Sequence, residues 1–402
     1  MVPLWRNRDF VLLQIGQLLS AAGSQLTTIA YPLLVLAVSH SPAQVGLVAF
    51  ARIAPFALFG LLAGVAADRW NRRRVMIAAD ALRAVALGCL SATILLGHAA
   101  VWPFLVVAFV EGTGSAFFGT AEAGALRAVV PPRQLPAAVG AREARRAAVR
   151  LAGPPVGGAL FGISRWVPFL ADAVSYACST VSLLAMRTPF QEAREADPAP
   201  VRMQIAEGFR FLWEQPFLRT CAFLYGLGNF LIPGVLLVIV VVGRRQGLSG
   251  GEIGLLLALS AAGTLAGSLA SPLFRRVLSV RAILLLELWT WLATWHFVAR
   301  PSVYVLAAAL VPLGIAVPVT DSVVEGYRVA MTPDRLLGRV ESVRTNISLL
   351  IAPFGPLVAG LLLGSVSAPT TVGVFAAFGL VLALWGTLSP SIRTAPSLDA
   401  LP

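Results

Sequence analysis

Four acidic residues stand inside long apolar stretches of this 402-residue chain, where a charged side chain is costly: Glu111, Asp172, Asp321 and Glu325. Asp321 and Glu325 are four residues apart, so they share one face of a helix. A carboxylate withdrawn from water can bind and release a proton near neutral pH. The four acids are therefore candidates for proton coupling. The alternative for each is a fixed ion pair with an arginine. A fifth acid, Asp80, lies three residues before Arg83, and we expect these two to form a structural ion pair.

The segment Ala141–Gly158, AREARRAAVRLAGPPVGG, carries four arginines into an apolar stretch. Arg142, Arg146 and Arg150 recur every four residues and share a helix face. For Arg142 and Arg145 we expect long side chains that reach water at the membrane interface. Arg146 and Arg150 lie deeper, and we expect them to face a polar cavity or an ionic partner. In a cavity they would attract an anionic group.

Neutral polar side chains also occur within apolar stretches, where a lipid-facing amide would be costly. They are expected to face inward. Together with the charged residues they make up the candidate cavity and substrate site, which consists of Gln17, Gln25, Glu111, Arg146, Arg150, Tyr225 and Asn229.

The composition defines the class of protein. Hydrophobic residues make up 57% of the chain and charged residues 12%, whereas soluble domains carry about 25% charged residues. Apolar stretches of some 20 residues recur, each long enough to cross a bilayer. We therefore expect an all-α integral membrane protein. The alternating ten-residue pattern of a membrane β-barrel is absent.

Other classes of function find no support in the residues. The net charge of +12 comes entirely from arginine, mostly in short connections, so we expect no nucleic-acid partner. The three cysteines lack paired spacing, and no nucleotide-binding Gly-Lys motif occurs. We expect no metal, no cofactor and no enzymatic activity.

Twelve membrane spans are predicted, near residues 10–38, 44–67, 75–97, 101–125, 139–163, 167–187, 217–242, 252–273, 280–299, 302–327, 340–363 and 369–390. With both termini in the cytoplasm, 20 arginines fall in cytoplasmic segments and four in outer segments. Since basic residues favour the cytoplasmic side, this orientation is predicted.

A weak internal repeat divides the chain. Four residues, Arg127, Pro132, Val139 and Pro155, have identical counterparts 201 positions later, at Arg328, Pro333, Val340 and Pro356. We predict an N-terminal six-helix bundle over residues 1–187 and a C-terminal six-helix bundle over 217–402. Residues 188–216 form a cytoplasmic central loop with an amphipathic surface helix that carries Met203, Phe209 and Trp213.

Two motifs carry a resemblance to a known family. The sequence GVAADRWNRRR resembles the signature of the major facilitator superfamily at Gly64, Asp68, Arg69, Arg72 and Arg73, with Asn71 replacing the usual glycine. We expect Gly64 to allow close helix approach and Asp68 to pair with Arg72. The sequence GPPVGG resembles the core of that superfamily's antiporter motif at Gly153, Pro154, Gly157 and Gly158, although Val149 replaces one of its glycines. We expect these residues to form a hinge or a tight helix seam.

The flanking sequences FLADAVSY and SPAQVGLV resemble a branch that contains siderophore exporters and macrolide-type efflux proteins. The resemblance implies two pseudo-symmetric six-helix halves in the cell membrane that work as a monomer. It implies proton-coupled export of a small amphipathic compound, such as a siderophore, a secondary metabolite or a drug. The compound would be anionic if the arginines of the segment 141–158 face the cavity. Proton-coupled uptake, lipid flipping and a non-transporting sensor are the alternatives. Relatives often carry an acid in the first span where this chain has Ser24, which argues against coupling there.

Overall fold

The computed structural model describes residues 4–188, 190 and 201–395. Within these residues it contains helices and no β-strand. The chain divides into two compact units. Unit 1 comprises Met1–Asp197 and Gly247–Ala258, and unit 2 comprises Pro198–Gln246 and Leu259–Pro402.

Unit 1 contains six long helices joined by short connections. They are α1 (Arg8–Ser39), α2 (Pro42–Arg69), α3 (Arg72–Leu95), α4 (Val101–Val129), α5 (Leu135–Ile163) and α6 (Val167–Ala185). Three of them begin at a side-chain cap, in which Asn7, Ser41 or Asn71 accepts a backbone N–H of the first turn. Asn71, the departure from the family signature, therefore starts α3.

Unit 2 is built from shorter pieces. Its helices are α7 (Val201–Glu214), α8 (Pro216–Gly228), α9 (Leu231–Arg245), α10 (Gly250–Val277), α11 (Val280–Thr290), α12 (Trp295–Ala299), α13 (Val303–Met331), α14 (Asp334–Ile351), α15 (Phe354–Ser365), α16 (Ala368–Leu388) and α17 (Pro390–Arg393). The first residues of α10, up to Ala258, group with unit 1.

Eleven helical segments of the described residues are long and apolar enough to cross a membrane. The remaining predicted span, 139–163, lies within α5, which has 29 residues but carries Arg142, Glu143, Arg145, Arg146 and Arg150. The all-helical membrane fold predicted from the sequence is confirmed. The charges of α5 are the reason that this helix falls outside the apolar set.

Three predicted spans of unit 2 are interrupted. The seventh breaks at Asn229 between α8 and α9, and the ninth contains the 3₁₀ turn Trp291–Thr294 between α11 and α12. The eleventh breaks between α14 and α15 beside Pro353, which has no N–H to continue the helix. The six helices of unit 1 have no such break.

The amphipathic helix α7 occupies the second part of the predicted central loop. Its exposed apolar side chains are Met203, Phe209 and Trp213. The rings of Phe209 and Trp213 are stacked, with 5.6 Å between their centres. Glu207 holds α7 to α14 through ion pairs with Arg335 at 3.1 Å and with Arg339. Its placement on the membrane surface stays a prediction, as do the predicted domain boundaries. Residues 191–200 of that loop lie outside the described residues.

Candidate functional site

The arginines of α5 lead into a polar cavity of unit 1. Arg145 donates to Gln14 at 2.6 Å and to Glu122 of α4 at 3.0 Å, and its side chain is only 9% exposed. The expectation that Arg145 reaches interfacial water is wrong. The acid on the neighbouring helix offers a closer partner than solvent does, so the arginine is buried in an ion pair.

Arg146 and Arg150 both line the cavity. Arg146 is 43% exposed and contacts Glu122 and Glu143, each at 3.4 Å. Arg150 is exposed, and no hydrogen bond or ion pair joins it to any other residue that the structure describes. Of the four arginines of this segment, Arg150 is thus the one for which the described residues offer no such contact, since Arg142, Arg145 and Arg146 each meet a glutamate.

The cavity has a volume of about 340 Å³ and draws its wall from α1 to α5. The predicted residues Gln17 and Gln25 of α1 line it, and Gln17 also donates to Ser179 of α6 at 3.3 Å. The charged residues of the wall are Arg52, Arg83, Glu122, Arg145, Arg146 and Arg150. Arg52 and Arg83 are paired with acids that do not line the cavity, so the excess of positive charge on its wall lies at Arg145, Arg146 and Arg150, with Glu122 as the one acid of the wall.

Arg52 of α2 joins the cavity to the predicted residue Glu111. The two side chains form an ion pair at 2.5 Å, and Glu111 is 2% exposed. Arg52 also donates to the hydroxyls of Thr27 and Thr28 on α1 at 3.1 and 3.2 Å. Glu111 is thus held by an arginine and does not line the cavity.

Arg83 and Asp80 form the predicted ion pair within α3, and both are buried. Arg83 further donates to Ser115 at 3.2 Å and lies 4.1 Å from the centre of the Tyr176 ring. This pair joins α3, α4 and α6 and is structural, as expected. Its guanidinium also reaches the cavity wall.

Asp172 of α6 is fully buried, and its partners are hydroxyl groups. Its two carboxylate oxygens accept from Thr27 at 2.8 Å and from Ser175 at 3.2 Å. No described arginine lies within ion-pair distance of it. Among the predicted coupling acids of unit 1, Asp172 therefore differs from Glu111.

The glycines of the GPPVGG segment lie at close helix contacts. A Cβ on Gly153 would collide with Gln25, and one on Gly157 would lie 2.7 Å from the carbonyl oxygen of Leu26. A Cβ on Gly158 would collide with the Gly250 carbonyl at the start of α10. The α-helix continues through Pro154. The motif therefore forms a tight seam inside unit 1.

The other motif, GVAADRWNRRR, joins the ends of α2, α3 and α6. Arg73 donates to the carbonyls of Leu183 and Leu184 in the last turn of α6, at 2.9 and 2.7 Å. Arg72 donates to the Ala67 carbonyl at 2.9 Å. Arg69 is exposed, and the side chain of Asp68 lies outside the described residues.

Gly64 does not play the role expected of it. A Cβ placed there would meet no described atom within 4 Å. Close helix approach is therefore not the reason for a glycine at this position, since the helix face at Gly64 has open space beside it.

Unit 2 contains a second polar pocket, of about 610 Å³. The predicted residues Tyr225, Asn229, Asp321 and Glu325 all line it. Tyr225 donates its hydroxyl to the Leu284 carbonyl at 2.6 Å, and Glu325 forms an ion pair with Arg328. The four residues, predicted separately from the seventh and tenth spans, are brought together here.

Three charged residues of these cavities were missed in the sequence: Arg52, Glu122 and Glu287. Each is a charge within an apolar stretch, which is itself the available signal. Glu122 lies near the end of a predicted span, where it resembles an interfacial residue. Only the helix packing shows that it faces Arg145.

The family model of the Major Facilitator Superfamily matches residues 13–286, more than half of the chain. The chain belongs to the Major Facilitator Superfamily. The family resemblance of the sequence motifs is thereby confirmed. A member of this superfamily is a membrane transporter, which also confirms the prediction that the chain is not an enzyme.

Its relatives within the superfamily include efflux proteins. Multidrug efflux pump Tap of Mycolicibacterium fortuitum is 28% identical over 415 residues, with 98% of each chain covered. Macrolide efflux protein A of Streptococcus pyogenes is 23% identical over 371 residues, with 89% of each chain covered. The predicted resemblance to the efflux branch is confirmed by these matches.

Solved structures of superfamily transporters share the fold. A mutant of the nucleoside transporter NupG gives a TM-score of 0.80 at 12% identity and covers 94% of this chain and 99% of its own. A bacterial homolog of the lysosomal transporter Spinster gives 0.75 at 18% identity, with 97% and 98% covered. At these identities the likeness concerns the fold alone.

Proposed function

We propose that this chain is a proton-coupled exporter of a small amphipathic compound that carries an anionic group. It works as a monomer in the cell membrane, with both termini in the cytoplasm. A siderophore, a secondary metabolite or an acidic drug has the required chemistry. The observation that carries the proposal is the arginine-rich cavity of unit 1.

The wall of that cavity has more positive charge than its own acid can balance. Glu122 contacts both Arg145 and Arg146, and Arg150 has no partner among the described residues. Placing unpaired guanidinium groups within a membrane helix is costly unless they face water or an anion. A carboxylate or phosphate on a ligand would offset this cost and accept hydrogen bonds from the guanidinium fork.

Outward transport is supported by two further observations. The relatives with the highest identity quoted above are efflux proteins by name. The GPPVGG segment, which resembles an antiporter motif, packs without gaps against α1 and the start of α10. Such a glycine seam lets helices move as a unit when the transporter changes conformation.

For proton coupling we assign Asp172. Behind the cavity, three carboxylates (Asp80, Glu111 and Asp172) are buried beside two guanidinium groups, those of Arg83 and Arg52. Two of the acids have an arginine, and Asp172 has only hydroxyl donors. A buried carboxylate without a cationic partner is stabilised by taking up a proton. Glu111 and Glu325 are held by arginines and are less suited to this role.

The test is untargeted mass spectrometry of cells and medium from the native host, with and without this gene. We expect a compound with an acidic group to accumulate in the deletion strain and to disappear from its medium. Accumulation in the medium would show uptake, an altered distribution of a lipid between leaflets would show a flippase, and an unchanged profile would contradict export of any host metabolite.

Complementation then tests the cavity. An Arg150→Ala gene should fail to restore export of that compound, whereas Arg142→Ala should restore it. Arg142 is the matched control because it lies on the same helix, pairs with Glu143 at 3.2 Å and does not line the cavity. Normal export by Arg150→Ala would refute the anion-binding role. Membrane abundance of both variants is measured alongside.

A further inference from the structure

Three arginines of unit 2 surround a pocket where α10 ends and α11 begins. Arg275 and Arg276 belong to the last turn of α10, and Arg281 belongs to the first turn of α11. The pocket has a volume of about 640 Å³, and none of the described residues that line it is acidic. All three side chains are exposed, and none has a hydrogen bond or an ion pair with any residue that the structure describes.

The corresponding connection of unit 1, between α2 and α3, uses its arginines differently. Arg72 and Arg73 donate to backbone carbonyls of α2 and α6 and so join the ends of these helices. Basic residues are common beside membrane spans, so charge alone does not define a site. The three arginines of the unit 2 connection lack such contacts within the described chain and surround a pocket instead. They are therefore placed to bind an anion from outside the chain.

The pocket lies at a membrane surface. The segments Gly250–Val277 and Val280–Ala299 are each long and apolar enough to cross a membrane, and the pocket is at their junction. Leu269 and Leu273 of α10 are 76% and 62% exposed. They precede Arg276 by seven and three residues, so the three side chains share one face of the helix. An apolar stripe on α10 thus leads to the arginines.

This arrangement fits an anionic phospholipid better than a soluble anion. The phosphodiester of a lipid accepts hydrogen bonds from guanidinium groups, and basic pockets between membrane helices bind acidic lipid headgroups. The pocket also has an apolar part, formed by Pro272, Leu278 and Val323, against which the glycerol group can pack. Acyl chains can cover the exposed leucines of α10, whereas a free phosphate would leave them uncovered.

We propose that the pocket at the junction of α10 and α11 binds the headgroup of an anionic phospholipid through Arg275, Arg276 and Arg281. The acyl chains of this lipid lie along Leu269 and Leu273. The bound lipid anchors the ends of α10 and α11 to the membrane surface. The proposal goes beyond the proposed function, because lipid binding depends neither on the direction of transport nor on the compound transported.

The test is native mass spectrometry of the purified full-length protein in detergent, titrated with dioleoyl phosphatidylglycerol. The site variant combines Arg275→Gln, Arg276→Gln and Arg281→Gln. We expect it to bind the first phosphatidylglycerol at least about tenfold more weakly than the wild type does, because arginines near a membrane surface attract acidic lipids and three are removed. Dioleoyl phosphatidylcholine has the same acyl chains without net charge and should bind both proteins equally weakly.

The matched control removes the same charge elsewhere. It combines Arg6→Gln, Arg8→Gln and Arg133→Gln, three exposed arginines of unit 1 that do not line the pocket. It should bind phosphatidylglycerol as the wild type does. An equal loss in both triple variants would reveal a general effect of net charge and overturn the proposal, as would an unchanged affinity of the site variant.

Thermal unfolding of each variant verifies that the protein is folded. If the triple site variant does not fold, Arg276→Gln alone replaces it, with an expected loss of affinity of at least about threefold. An unchanged affinity of this folded single variant would also contradict the proposal.

A competition experiment distinguishes a lipid from a soluble anion. Glycerophosphoglycerol carries the headgroup of phosphatidylglycerol without its acyl chains, and at equal concentration it should not displace the lipid. Displacement at equal concentration would identify a site for soluble phosphate esters and refute the lipid site. None of these measurements involves export, so the failure of either proposal leaves the other standing.

Discussion

Unit 1 and unit 2 each contain a polar cavity among membrane helices, and the two cavities have opposite charge. The unit 1 wall carries five arginines and one glutamate. The unit 2 wall carries Glu287, Asp321 and Glu325 against the single Arg344. Since a cavity of one sign concentrates ligands of the other, the two halves of the chain offer different chemistry.

Their helix packing, in contrast, is alike. In unit 1 a glycine of the fifth span, Gly157, lies against the backbone of α1 at Leu26. In unit 2 a glycine of the eleventh span, Gly355, lies against the backbone carbonyl of Phe230, at the break in the seventh span. Spans one and five, and spans seven and eleven, therefore meet through the same kind of contact.

The comparison shows what the sequence repeat preserves. At the offset of 201 positions that relates the halves, Arg52 corresponds to Ile253, Arg83 to Leu284, and Glu287 to Ala86. These charges do not recur at that offset. A glycine contact recurs between the same pair of spans, although not at the same offset, since Gly157 corresponds to Val358. Close helix packing is required in both halves of the chain. A charged group of a ligand, in contrast, needs an opposite charge in only one of the two halves.

The largest effect is expected where the halves are alike. Gly157→Leu and Gly355→Leu should each abolish transport, because the new side chain meets backbone that cannot move aside. Gly162→Leu, in the same helix as Gly157, is the control, since a Cβ there meets no described atom within 4 Å. Transport is measured with the compound found in the deletion experiment. Full activity of Gly157→Leu would refute a tight seam.

The second largest effect distinguishes Asp172 of unit 1 from Asp321 of unit 2. Asp172→Asn should abolish transport driven by a proton gradient in proteoliposomes and retain exchange of labelled for unlabelled substrate, because only the driven reaction needs the proton. Asp321→Asn is the comparison in unit 2 and should retain response to the gradient. If Asp321→Asn lost gradient-driven transport and Asp172→Asn kept it, the coupling acid would have to be assigned to unit 2.

The smallest effect concerns stability. Glu111→Gln removes a buried carboxylate and leaves Arg52, which is half-buried on the cavity wall, without its ion pair, and we expect a loss of roughly 3 kcal/mol. Glu325→Gln, whose carboxylate is half-exposed, should cost less than about 1 kcal/mol. Unfolding of the two variants in mixed detergent micelles measures both values. Equal losses would show that the two ion pairs have similar surroundings.

The sequence predicts many of the residues that line the two cavities, but it does not predict which residues they pair with. The sequence places Arg146, Arg150, Asp321 and Glu325 within apolar stretches, and the structure finds all four on cavity walls. The sequence cannot show that Arg145 meets Glu122, because the two residues lie on different helices. The prediction that Arg145 reaches water was wrong for this reason. A long side chain near a helix end can reach water, and the sequence does not show that an acid on another helix lies closer.

The sequence alone determined the membrane class, the helical spans and the family, because long apolar stretches and short motifs are local properties. Tertiary structure decided which charges are paired. Glu111 and Asp172 look equivalent in the sequence, yet only Glu111 meets an arginine. Glu287 and Asp321 lie 34 residues apart and share one pocket. Whether a buried charge is neutralised depends on neighbouring helices, and the spacing along one helix cannot specify them.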